Sequence, residues 1–261
     1  MGTGAVHNCS TVFNEALNKL VGTYISWPSA ERRDDLAECI WETFGFRGCV
    51  ESTDGTTIPL AYALRIQPWT YWYRHDRYSI SPLLACDHER NIISATPGFP
   101  GAARNAYVQR HADWCRYLGQ HIFPLSIFWV TRTCATLLES FVPTKRLLGT
   151  SDENSLNFQL SSLRLVYERV TGMLKGLWMS LRELRVSTWS GWYFKEAMEW
   201  LLACCVLHKM CNSLGDREMM ANVPADAADD VLPAEGQEGE CRFPVRRDVL
   251  AFIRATGQYR P

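Results

Sequence analysis

The sequence predicts an α/β protein in which a mixed sheet is flanked by helices, with a short helical segment ahead of it. Three observations carry this. Apolar residues recur at alternating steps of three and four from Leu160 to Leu184. Short β-prone runs separated by turn residues fill 48–96. Helix and strand patterns then alternate, which places helices over a sheet.

Taken in order, Asn8–Tyr24 reads as a helix with Val12, Ala16, Leu20 and Val21 along one face, and Ser10 or Thr11 as its N-cap. Ala30–Phe44 follows Pro28 and Ser29, both start signals, and turns Leu36, Ile40 and Phe44 inward. The period then shortens. Gly48–Asp54 is a strand ending in a carboxylate, and Arg77–Cys86 and Asn91–Thr96 are strands joined by the turn Asp87-His88-Glu89-Arg90. Pro82 makes the first of these an edge or bulged strand. A helix is expected at 103–116, a strand near Gly119–Phe123, and a polar loop over Thr144–Asn157. The long helix Leu160–Leu184 comes next, with an apolar seam and a polar stripe of Arg164, Glu168, Thr171, Gly172 and Lys175. Trp192–Met210 is apolar nearly all round and so reads as a buried helix.

Composition narrows the class. The 261 residues, 47% hydrophobic and 12% aromatic, suffice for a sizeable core. Net charge is −1, but Asp216–Glu240 holds eight acids and one base, leaving 26 bases and 20 acids, about +6, elsewhere. A mildly basic body is compatible with nucleic acid. The ten cysteines form no CxxC pair and the six histidines complete no zinc pattern, so the cysteines read as small buried hydrophobes in a reducing compartment. The longest apolar run, Trp200–Leu207, is far shorter than the roughly 20 residues a membrane span needs, and no signal peptide opens the chain. The expected division is a helical segment over 1–45, an α/β domain over 46–214, an acidic linker over 215–244 and a short closing helix or tail over 245–261.

Asp54, at a strand end before Gly55, fits a metal-ligating aspartate and equally a turn-forming Asp-Gly. Glu168 reads as the second ligand or as a member of an intrahelical ion pair. The Tyr71-Trp72-Tyr73-Arg74 cluster with Arg77 suits stacking on bases or packing under a sheet. Arg164, Arg169 and Lys175, around Glu168, suit phosphate contacts or a solvated face. Asp87 reads as a turn residue, and His208 with Cys205 as structural.

Five ordered segments, GCVESTDGTTIPL, YWYRHDRYSI, CDHERNIISATPGFPG, LSSLRLVYERVTGMLKGLW and LLACCVLHKMC, resemble the PIF/Harbinger group of DDE transposases and the host nucleases derived from them. The likeness runs from about Thr3 to Leu214. It implies an RNase H-like fold in which an Asp, Asp, Glu triad holds two Mg²⁺ or Mn²⁺ ions for phosphodiester hydrolysis or strand transfer on DNA. Asp54 and Glu168 stand at the first and last triad positions. Where the family carries its second Asp, this chain reads YLGQHIFPL, with Gln120 at that position, and Asn105 replaces a further family Asp. Asp113 and His121 are the substitutes nearest to hand.

An amide offers a neutral carbonyl where a carboxylate bridges two cations, so cleavage is expected to be impaired, or lost in a DNA- or protein-binding remnant. In the family a helix-turn-helix precedes the nuclease domain, and GTGAVHNCSTVFNEALNKL is similar to its last helix alone. The resemblance further implies a Myb-like partner protein and a nuclear location, with no membrane association. The sequence leaves an oligomer open.

Overall fold

The computed structural model describes residues 3–45, 49–65, 67–73, 76–103, 107–108, 111, 127–130, 151–185 and 191–215. Two helices open the chain, α1 (Thr3–Tyr24) and α2 (Ala30–Phe44). Ser29 caps α2 by accepting a hydrogen bond from the Arg32 amide, and Gly45 ends it at φ +74, a left-handed value that glycine adopts without strain. Helix α1 begins five residues earlier than the sequence pattern indicates.

A four-stranded sheet has the order β6-β5-β1-β7, built from β1 (Cys49–Gly55), β5 (Leu83–Cys86), β6 (Ile92–Thr96) and β7 (Ile127–Val130). Strands β1, β5 and β6 pair antiparallel, and β7 lies parallel to β1. Three antiparallel strands followed by a parallel fourth beside the first make an RNase H-like mixed sheet. The expected strand over Arg77–Cys86 is in fact two. It breaks at Ser81-Pro82, and its first half, β4 (Arg77–Ile80), joins β2 (Ile58–Leu60) and β3 (Trp72–Tyr73) in a separate three-stranded sheet of order β2-β4-β3, with the short helix α3 (Pro68–Tyr71) leading into β3. Pro82 offers no N–H to a ladder, which is why the strand changes sheets there.

Helix α4 covers Ser151–Leu177, not Leu160–Leu184. The helix thus extends into the stretch expected to be a polar loop. At its other end a 3₁₀ turn (Met179–Arg182) replaces the last α-turn, and Leu184 forms a bridge to Leu60 of β2. Helix α5 spans Gly191–Ser213.

The main core lies between the sheets and helices α4 and α5, where Ile58, Ile80, Leu84 and Ile92 meet Val170, Leu174, Leu181 and Leu201, each no more than 1% exposed. On the other face Leu36 of α2 packs with Val50, Leu83 and Val108. Helix α1 rests on α5 through Leu17, Ala203 and Val206, and Asn18 donates to the Glu199 carbonyl. Helix α1, within the segment expected over 1–45, is thus packed against α5.

Four of the seven described cysteines, Cys49, Cys86, Cys204 and Cys205, are buried, and all seven are free thiols. Burial pushes the Cys86, Cys204 and Cys205 thiols up, which keeps them protonated and unreactive. Among the described residues no helix is long and apolar enough to cross a membrane. Of the helix expected at 103–116, residues 107–108 and 111 are described and helical, and most of the rest lies outside the described residues, as do the strand expected at 119–123, the acidic linker beyond Gly215 and the closing helix.

Candidate active site

Strand register settles where Asp54 sits. Asp54 pairs with Leu84 and Ser52 with Cys86, and directly opposed residues share a face of the sheet. Leu84 and Cys86 belong to the core beneath α4, so Asp54 is set on the face that α4 covers. The Asp-Gly pair does not make a turn, because β1 continues through Gly55. Its amide donates to the Asp54 Oδ1 at 2.8 Å, a local bond that orients the carboxylate.

Tyr167 ties the helix to this strand end. It is 3% exposed, and its hydroxyl donates to the Asp54 carbonyl at 2.7 Å. Burial first, and the nearby Asp54 charge second, push the Tyr167 phenol well up, so it remains a neutral donor. Glu168 is the next residue along α4, and the tether therefore brings the two expected acidic positions to neighbouring points on the β1–α4 interface. Tyr167 is the one hydroxyl-tipped side chain on the apolar seam of α4. That was its signal in the sequence, read there only as packing.

Glu168 is not bare. Arg164, one turn earlier, holds its Oε1 at 2.6 Å, and the two side chains are 23% and 27% exposed. The intrahelical ion pair and the ligand position thus coincide in one residue. The Arg164 Nε is buried without a hydrogen-bond partner, so this guanidinium is committed to Glu168 at one end and unsatisfied at the other.

The rest of the polar stripe does not reach solvent. Thr171 is 1% exposed and Lys175 3%, because α4 is packed by α2, β1, β5 and α5 on several sides. Burial removes Lys175 from the residues that can meet a phosphate, a correction to its place among the basic candidates. Arg77 and Arg169 are exposed, and Arg164 is part-buried. Arg74, Asn105, Asp113, Gln120 and His121 lie outside the described residues.

The parallel partner of β1 bears on where a second acid would be expected. Thr53 pairs with Val130, the last residue of β7, so the strand end beside Asp54 is Val130, ten residues beyond Gln120. The residues that follow in sequence, Thr131, Arg132 and Thr133, include no carboxylate, and between Glu89 and Asp152 the chain has only two acids, Asp113 and Glu139.

Residues 53–209, well over half of the chain, match the model of the DDE superfamily endonucleases. The chain belongs to this family. The match begins at Thr53, beside the Asp54 that the register places under α4, and ends just past His208. Neither the curated proteins nor the solved structures yield a match to this chain.

Members of this endonuclease superfamily generally use divalent metals. Among the described residues no group of three or more His, Cys, Asp or Glu side chains could hold a metal ion. Asp54 and Glu168 offer two hard oxygen donors. One hydrated Mg²⁺ or Mn²⁺ can be held by as few as one or two carboxylates, whereas a two-cation site needs more ligands than these two supply.

One further polar residue surfaces only in three dimensions. Glu51 lies where the β1–β7 register slips, between Cys49 and Ser52, and is fully buried with neither carboxylate oxygen hydrogen-bonded. Desolvation pushes its carboxyl up to about 8, offset in part by the adjacent Thr53 hydroxyl. An acid inside the apolar run Cys49-Val50-Glu51 was its signal. His208 is buried, as expected of a structural histidine, and its Nε2 sits 3.2 Å from the Arg90 carbonyl. Asp87 is the turn residue expected of it, accepting from both the amide and the side chain of Asn91.

Proposed function

We propose that this endonuclease-family chain is of the PIF/Harbinger type, binds DNA across the α4 side of its sheet, and cleaves it weakly or not at all. The observation that carries this reading is the Arg164–Glu168 ion pair beside Asp54. Glu168, the acid that our reading sets with Asp54, already has a guanidinium bound to it. A metal ion there must compete with a guanidinium that cannot be deprotonated.

When bound, a divalent ion in this superfamily supplies an activated water or hydroxyl for attack on a phosphodiester. The chain's own contribution is more limited. Tyr167 fixes the strand end, the Gly55 amide orients Asp54, and Arg164 and Arg169 present positive charge near the site. With Arg77 they form the basic set that we assign to phosphate contacts, in place of the set that included Lys175. Gln120, or the Thr131-Arg132-Thr133 segment after β7, stands in our reading where a second aspartate is lost.

A nuclear location and a Myb-like partner belong to the same proposal. They rest on the ordered motifs quoted above. The second reading, a protein whose only remaining task is binding, is favoured by the same ion pair.

Isothermal titration separates these outcomes. We expect at most one weak Mg²⁺ or Mn²⁺ site, together with duplex-DNA affinity that falls with rising salt, each phosphate contact contributing about −0.9 to the log–log slope. Two tight metal sites, or DNA affinity indifferent to salt, overturn the proposal.

A further inference from the structure

The smaller sheet is an arm that grows out of the strand bearing Asp54. Strand β1 runs across Thr56-Thr57 into β2, and β4 returns across Ser81-Pro82 into β5, the two crossings tied by a 3.0 Å bond from the Thr56 amide to the Pro82 carbonyl. The arm is held on its other sides as well. The Gly101 amide donates to the Ser79 carbonyl, the Ala102 amide to the Thr70 carbonyl, and the Ala61 amide to the Leu184 carbonyl. Tyr71 packs edge-on against Phe194 of α5.

This firmly anchored element nevertheless exposes large aromatic side chains. Trp69 is 70% exposed and Trp72 45%. Trp72 is braced edge-to-face by its cross-strand neighbour Tyr78, ring centroids 4.9 Å apart. Exposed tryptophans on a rigid support mark a surface that meets a partner. The charge of the arm says which kind. Residues 58–80 carry three arginines, Arg65, Arg74 and Arg77, against a single acid, Asp76. Aromatic rings interleaved with arginine are the composition that binds unpaired nucleic acid, where bases stack and phosphates are neutralised. In a duplex both faces of each base are already covered, so a ring that stacks on a base needs an unpaired strand.

We propose that the β2-β4-β3 arm is a stacking platform for unpaired DNA beside the Asp54 site, with Trp69 and Trp72 as the stacking residues and Arg77 on the backbone. From Asp54 to Leu60, which is paired with Tyr78, is six residues of nearly continuous strand, or about 20 Å. That is the length of about six stacked nucleotides at 3.4 Å each. The platform therefore lies within reach of a strand whose scissile region is at Asp54. This inference rests on the DNA reading above and adds a strand preference that the DNA reading alone does not require.

The test is fluorescence-anisotropy binding of the full chain to a labelled 20-mer single strand and to a duplex of equal length, without metal. For each of Trp69→Ala and Trp72→Ala we expect single-strand affinity to fall about 5-fold or more, the stacking of one base being worth about 5- to 150-fold. Duplex affinity should stay within 2-fold, and Trp72→Phe should retain most single-strand binding. The Trp69→Ala melt should match the parent because that ring is 70% exposed, and Trp72→Phe, which keeps a ring against Tyr78, should melt close to the parent. If the double alanine variant binds the single strand as the parent does, or loses single strand and duplex in equal measure, the platform is wrong while the DNA reading stands. If the parent binds neither nucleic acid, both fall.

Discussion

The Tyr167 hydroxyl and the Asp54 carbonyl are joined by a 2.7 Å hydrogen bond that links the long helix to the end of the central strand. The phenol is buried, and Glu168 is the next residue along the same helix. Tyr167→Phe should leave the Asp54 carbonyl without this partner in a nearly dry interface, at a cost of about 1–2 kcal/mol. The urea midpoint should shift to lower concentration with an unchanged slope. A midpoint equal to the parent's would show that the bond does not contribute.

Arg164 competes with any cation at Glu168. Replacing it by Gln removes the positive charge while keeping a polar side chain of similar reach. Mn²⁺ affinity measured by titration calorimetry should rise several-fold, and DNA affinity should fall as one phosphate contact is lost. The pair is about a quarter exposed and screened by solvent, so its loss should change stability by less than about 1 kcal/mol. Unchanged or weaker Mn²⁺ binding contradicts the competition.

Glu51 gives the protein a pH dependence of definite sign. Its carboxyl titrates near 4.5 when unfolded and is pushed up to about 8 in the folded chain. Between those values the folded state holds a proton that the unfolded state has lost. Stability therefore declines as pH rises from about 4.5 to 8 and levels off above that. Glu51→Gln should be nearly neutral at pH 5 and stabilising at pH 8.5, on the order of a few kcal/mol at most. A gain that does not grow with pH would falsify this assignment.

His208 acts in the opposite direction. Desolvation lowers its pKa, with the Arg90 carbonyl raising it in part. The unfolded chain binds the proton first, so stability should fall as pH drops below about 6.5. Nearby Lys209 and the Asp87 carboxyl face the same turn, and Asn212 donates to the Glu89 carbonyl there. His208→Gln should flatten the acid limb of the urea midpoint against pH; an unaltered limb assigns the loss to other groups.

Gly101 is required by space rather than by its dihedral angles. A Cβ at that position would lie 2.1 Å from the Ser79 Oγ and 2.7 Å from the Ser79 carbonyl oxygen. Gly101→Ala should displace the arm from its support and cost about 1–3 kcal/mol. Single-strand binding should weaken with it, whereas a variant as stable as the parent shows that the turn can give.

The positions of Asp54 near a strand end and of Glu168 on a long helix were legible because each carries a strong local pattern. Asp54 ends an apolar strand, and Glu168 rides a helix whose seam repeats over many turns. Ser29 as a cap was legible for a similar reason. What was not legible depends on packing from a distance. Lys175 follows the polar stripe by spacing, yet neighbours on several sides of α4 bury it. Pro82 signals an interruption, but that the two halves belong to different sheets is decided by partners far along the chain. Glu51 looks like any strand acid until the β1–β7 register encloses it. The helix start at Ser151 was missed because a polar run resembles a loop.

The most direct test of the central claim is nicking of supercoiled plasmid by the full chain with Mn²⁺, beside Asp54→Ala and Glu168→Ala. The parent should bind the plasmid and produce no more nicked circles than the two variants. Nicking by the parent that both substitutions abolish would contradict it, and Asp113→Asn and Glu139→Gln would then identify the acid that completes the site.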